Sequence, residues 1–116
     1  MTSVTSVEVS IETFQALVID QSHNKVVILD ISADWCGPCK ILEPILNGVA
    51  AEYNEGEFVL TKLEAEDENM KIAGQFSVRG FPTVIAFIRG EEVDRFHSVK
   101  THDFLRDFID KNLEKF

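Results

Sequence analysis

The sequence predicts an α/β domain, a central mixed sheet of about five strands flanked by about four helices. Three observations lead there. Short β-branched runs alternate with stretches of helical spacing, the order expected of a parallel core. Lys25 to Ile31 is apolar from Val26 on except at Asp30, as suits a strand buried on both faces. Arg89-Gly90-Glu91 separates two further strand-like runs and reads as a tight turn, which adds an antiparallel edge. The 116 residues fit one domain, 1–116, and 45% hydrophobic residues with nine phenylalanines supply a core that needs no stapling.

In chain order, Val4, Val7 and Val9 suggest a short opening strand. Ser10 is placed to cap a helix, with Glu12 and Thr13 in its first turn and Phe14, Leu17 and Val18 on one face. The strand from Lys25 is followed by a helix that starts at about Cys36 and runs to about Tyr53. Its apolar spacing resumes directly after Pro44, so the proline is expected to kink it rather than end it. Phe58 to Leu63 forms a second central strand, and Asp67 opens a short helix to about Phe76 whose acidic first turn suits the helix dipole. Thr83 to Ile88 and Val93 to Val99 pair across the Gly90 turn. Thr101 caps a last helix whose stripe, Phe104, Leu105, Phe108, Ile109 and Leu113, is core packing rather than a membrane-binding face.

Net charge is −9, which argues against nucleic acid because phosphates would be repelled and no basic stripe offsets the field. No stretch approaches the roughly 20 apolar residues of a spanning helix, and the first six residues show no basic region followed by an apolar block. A cytoplasmic protein without membrane attachment, and a monomer, is expected. Two cysteines are too few for a disulfide scaffold.

Those two cysteines carry the chemistry. Trp35-Cys36-Gly37-Pro38-Cys39-Lys40 spaces them three apart at the junction of a strand and a helix, where they can close a small reversible disulfide. A thiolate at a helix N-terminus is stabilised by free N–H groups and the dipole. Cys36, in the first turn and near the surface, is expected to attack a substrate disulfide; Cys39, one turn further in and more shielded, resolves the mixed disulfide. Gly37 lets the chain turn closely, and Pro38 suits the first turn while donating no N–H, which leans the pair toward reducing strength. Half of a zinc site is the competing reading, but zinc needs four ligands and His23, His97 and His102 form no second pair.

Asp30 lies six residues before Cys36 inside an apolar strand, costly for a carboxylate unless it is solvated, paired or neutral. Burial beneath Cys39 would raise its pKa and let it accept the Cys39 proton. Lys62 on the next strand is a candidate partner; the alternative is an Asp30 side chain that reaches water. Phe81-Pro82 precedes a strand, and a cis bond there would present backbone to an extended peptide beside the cysteines. Trp35 either forms a contact surface or covers the motif. The acids from Glu64 to Glu68 read as a solvated loop and helix start.

Together Asp30, Ala33-Asp34-Trp35-Cys36-Gly37-Pro38-Cys39-Lys40, Pro44, Lys62, Arg79-Gly80-Phe81-Pro82-Thr83 and Gly90 resemble the thioredoxin family over about Val7 to Leu113. The resemblance implies a thioredoxin fold and a protein-disulfide reductase. Cys36 would be the nucleophile and Cys39 the resolving thiol, with proton transfer helped by Asp30 and Lys62. It also implies a cis Pro82 facing the disulfide, a docking surface flanked by Trp35, disulfide-containing protein substrates, no bound cofactor, and electrons from NADPH through a separate thioredoxin reductase. Two departures bear on partners: Ser32 stands where an aromatic residue is usual, so packing behind the site should be looser, and Ser98 beside His97 replaces a glycine of the substrate-facing loop. An isomerase-like oxidising domain is disfavoured by Pro38. The rival from another class is a thioredoxin-like docking module in a larger redox or chaperone assembly, weakly suggested by Lys62 to Glu66 and the altered 97–98 loop.

Overall fold

The computed structural model describes residues 2–116; Met1 lies outside the described residues. Five strands, β1 (Ser6–Val9), β2 (Val26–Ser32), β3 (Phe58–Glu64), β4 (Thr83–Ile88) and β5 (Glu91–His97), form one sheet in the order β1-β3-β2-β4-β5. β1, β3 and β2 are parallel, while β4 runs antiparallel to β2 and β5 antiparallel to β4. The helices are a first one of π pitch, Gln15–Asp20, continued by a 3-10 turn at Gln21–His23, then α1 (Gly37–Ala50), α2 (Met70–Gln75) and α3 (His102–Lys115). This is the α/β thioredoxin fold, five strands and four helices.

Strand alternation divides the core into two layers. Val26, Ile28, Phe58, Leu60, Val84 and Ala86 pack against Leu42, Leu46 and Val49 of α1 and Leu105, Phe108 and Ile109 of α3. Val27, Leu29, Ile31, Leu63, Ile85 and Phe87 face the other way, onto Phe14 just before the first helix, Val18 within it, and Ile72 and Ala73 of α2. All seven residues of β2 are buried, as expected of a central strand covered on both sides. By the same alternation Asp30, Ser32, Lys62 and Glu64 lie on the α1 face. The period-two pattern thus delivers four polar side chains to the helix that carries the cysteines.

Several expectations are corrected. The strand that runs against the other four is β4 and not the edge strand, since β4 pairs antiparallel with both β2 and β5; alternating elements alone do not reveal that reversal. Ser10 does not cap through its side chain: its backbone N–H donates to Thr13 Oγ1 at 2.9 Å, and the helix starts only after Phe14. α1 passes through Pro44 and ends at Ala50, where Glu52 and Tyr53 N–H groups bond carbonyls three residues back rather than four. The segment from Asp67 begins as a 3-10 turn, Asp67–Asn69, before α2. β5 stops at His97 because Ser98 takes a left-handed φ of 74°. Two other expectations match: Thr101 Oγ1 accepts the Phe104 N–H at 3.1 Å, and Arg89 (φ 50°) and Gly90 (φ 84°) make the hairpin turn.

Candidate active site

β2 ends at Ser32, and four residues later Cys36 is the N-cap of α1, in extended conformation. Its Sγ accepts the Cys39 N–H at 3.2 Å, so the sulfur itself satisfies one of the free donors of the first turn. Gly37 begins the helix and Pro38 occupies its first turn, where a missing N–H is no loss. The two sulfurs are bonded, with Cα atoms 5.4 Å apart. A Cβ added at Gly37 would meet nothing within 4 Å, so the close turn expected to require glycine is not seen.

The expected difference in exposure between the cysteines is also absent. Cys36 is 3% exposed and Cys39 5%, because both pack with Ala33 under the half-buried Phe81 ring. Trp35 is 75% exposed and meets Phe81 edge-on, with centroids 5.8 Å apart. The open surface beside the disulfide is therefore aromatic.

The Phe81–Pro82 peptide bond is cis. Phe81, Pro82, His97 and Ser98 line one cleft of about 500 Å³ together with Arg79, read from the sequence only as part of the Phe81-Pro82 family mark, and Arg95, which the sequence reading left out. The 97–98 loop is tied to the proline by a bond from the Ser98 N–H to the Pro82 carbonyl at 3.1 Å. Thr83 Oγ1 donates to the Gly80 carbonyl at 2.7 Å and lies 3.1 Å from His97 Nδ1. Ser98 thus pays the backbone cost of a conformation that suits glycine, and it keeps the loop on Pro82.

Asp30 is 4% exposed, and its Oδ1 has no hydrogen-bond partner. Desolvation pushes its pKa up to about 7; Lys62 opposes this and Glu64 adds to it. Lys62 is the direct neighbour of Asp30 in the β2–β3 register, yet its ammonium bonds elsewhere, to Glu43 of α1 and to Glu64 at 3.1 Å. The anticipated Asp30–Lys62 pair is therefore a through-space influence, not a hydrogen bond. Ser32, Cys39, Glu43, Lys62 and Glu64 line a second cleft of about 200 Å³ behind the disulfide, where a larger side chain at position 32 would stand. Ser32 Oγ donates to Glu64 Oε1 at 3.4 Å, and Glu64 Oε2 is buried without a partner. Glu64 is thus a half-buried strand end, not part of a solvated loop.

Sequence reasoning missed Glu43, although its spacing was a signal. It lies four residues after Cys39, hence on the same helix face, and Glu64 lies two after Lys62, hence on the same strand face.

The thioredoxin family model matches residues 5–111. The chain belongs to the thioredoxin family. It is 34% identical over 106 residues to a thioredoxin of Chlorobaculum thiosulfatiphilum, covering 91% of this chain and 94% of that one. It is 39% identical over 88 residues to a thioredoxin of Staphylococcus aureus, covering 76% and 83%. Among solved structures, the short form of thioredoxin F from spinach chloroplast superposes with a TM-score of 0.83 at 28% identity, covering 97% and 96%. With its Cys36–Cys39 pair, this member of the family is a dithiol–disulfide oxidoreductase of the protein-disulfide reductase type.

Proposed function

We propose that this protein reduces disulfides of other proteins by a two-step exchange in which Cys36 attacks and Cys39 resolves. The observation that carries the reading is Cys36 as N-cap of α1, bonded to Cys39 one turn on and covered by Phe81. In the reduced protein the Cys36 thiolate attacks one sulfur of the substrate disulfide; that S–S bond breaks, and the leaving thiolate takes a proton. Asp30, as carboxylate, takes the Cys39 proton, and the Cys39 sulfur then attacks Cys36 Sγ. The second substrate thiolate leaves, and the Cys36–Cys39 disulfide is left behind. A pKa of about 7 suits Asp30 to this transfer near neutral pH. Lys62 tunes Asp30 by its field.

The aromatic surface of Trp35 and Phe81 and the cleft at Pro82, His97 and Ser98 would hold the substrate, with Gly37 and Pro38 leaving room over the disulfide. Backbone bonding along an extended segment would give broad tolerance of sequence. Two electrons and two protons must then be returned, and we assign this to a separate reductase that draws on NADPH. A reductase partner is supported by the likeness to a solved complex of ferredoxin:thioredoxin reductase and thioredoxin f2, matched with a TM-score of 0.83 at 26% identity. No helix among the described residues is long and apolar enough to cross a membrane, and a cytoplasmic monomer completes the reading.

Insulin reduction tests it. With NADPH and a thioredoxin reductase, rapid NADPH consumption that disappears in Cys36→Ser is the expected result. Reduction supported by dithiothreitol but not by the reductase would redirect the search to another electron donor. No reduction from either source would refute the enzyme reading and leave a docking module.

A further inference from the structure

Beyond the exchange itself, the cleft behind the disulfide holds two acids, Glu43 and Glu64, that the reaction as written does not use. Lys62 is the only cation beside Asp30 in the strand register, and opposite charge at that range ordinarily lowers a carboxyl pKa. Its ammonium is instead drawn toward α1 by Glu43 and held along β3 by Glu64. Glu43 is on the turn after Cys39, so the helix that carries the resolving thiol also carries the group that claims the lysine.

We propose that Glu43 is a positioning residue that holds the Lys62 ammonium off the Asp30 carboxyl and so leaves that carboxyl free to take the proton of the resolving thiol. The consequence for the resolving half of the reaction rests on the function proposed above; the charge arrangement does not. The charged and titratable groups around the cleft are Lys62 and Glu64 from β3, Cys39, Lys40 and Glu43 from α1, and Asp34 from the loop between β2 and α1. β4, on the other side of Asp30, contributes Val84 and no charge. The charges that act directly on Asp30 are Lys62 and Glu64, so Glu43 has to work through Lys62.

The Asp30 carboxyl can be titrated directly by carbon NMR of protein labelled at the aspartate carboxyl. The oxidised form is the one to use, because its bonded cysteines do not titrate and the readout needs no activity. In Glu43→Gln, Lys62 loses a counter-charge and turns its field on Asp30, so the midpoint should fall by about half a pH unit or more. In a Lys62→Met background (Lys62→Gln if the methionine protein does not fold), adding Glu43→Gln should move nothing further. The pH midpoint of the resolving step should fall with the carboxyl in Glu43→Gln alone. An unchanged Asp30 midpoint in Glu43→Gln overturns the proposal. An equal shift in the absence of Lys62 overturns it too, since Glu43 would then act by its own charge. Failure of insulin reduction in the wild-type protein, with the titrations as expected, would count against the exchange function and leave the positioning role standing.

Discussion

A carboxyl at position 30 moves on folding from water to a site where one oxygen has no partner, and its proton affinity follows. The folded protein holds a proton on Asp30 up to about pH 7 that the unfolded chain releases near pH 4. Since the native state binds more protons in that window, stability falls as pH rises from about 4 to about 7 and then levels off. Asp30→Asn removes the charge without removing the shape. It should raise stability at pH 8 by about 2–4 kcal/mol and change little at pH 4. Denaturant unfolding at the two pH values checks this. The same variant should slow release of the second substrate thiol, because the Cys39 proton then has no buried acceptor. Equal stability at both pH values would place the native carboxyl in water.

At the scale of elements, the first helix is joined to the β4–β5 hairpin by one serine. Ser22 is fully buried; its hydroxyl donates to the Ile19 carbonyl at 2.5 Å and accepts the Gly90 N–H at 2.7 Å, while its own carbonyl accepts the Arg89 N–H at 2.9 Å. The turn residues therefore find their partners in a helix 67 to 68 positions earlier in the chain. Gly90 is needed twice over there, for its φ of 84° and because a Cβ would come within 3.3 Å of the His23 ring. Ser22→Ala leaves the Gly90 N–H without its partner in a packed site and should cost about 1–3 kcal/mol. Amide exchange at Gly90 should quicken with it. A loss below a few tenths of a kcal/mol would mean that water replaces the hydroxyl.

Over the whole molecule, one sheet serves two core layers, and β2 is buried on both sides. We expect the chain to unfold as a single unit for that reason, since neither layer can lose β2 without exposing the other. Ile28→Ala truncates a fully buried residue of the α1 layer and should lower stability by about 2–5 kcal/mol. Far-ultraviolet dichroism and Trp35 fluorescence should still report one coincident transition. Two separated transitions would show that the layers come apart independently.

Local order and the pairing of the two cysteines were legible from residues alone. The apolar run of β2, the Gly90 turn, the Thr101 cap and the cysteine spacing are each set by neighbours within a few positions, through backbone preference and side-chain period. The family marks extended that reading to Pro82. What escaped it depends on contacts across the chain. The reversal of β4 and the π pitch of the first helix leave no mark within a few positions of the chain. The equal burial of Cys36 and Cys39 comes from Phe81, more than forty positions away. The partner of Lys62 was decided in the same way. Asp30, Glu43 and Glu64 all compete for it, and only the placement of α1 over β3 settles that Glu43 and Glu64 hold the ammonium while Asp30 receives its field. Electrostatics in a partly buried cleft depends on distance and desolvation, and those quantities do not exist until the fold does.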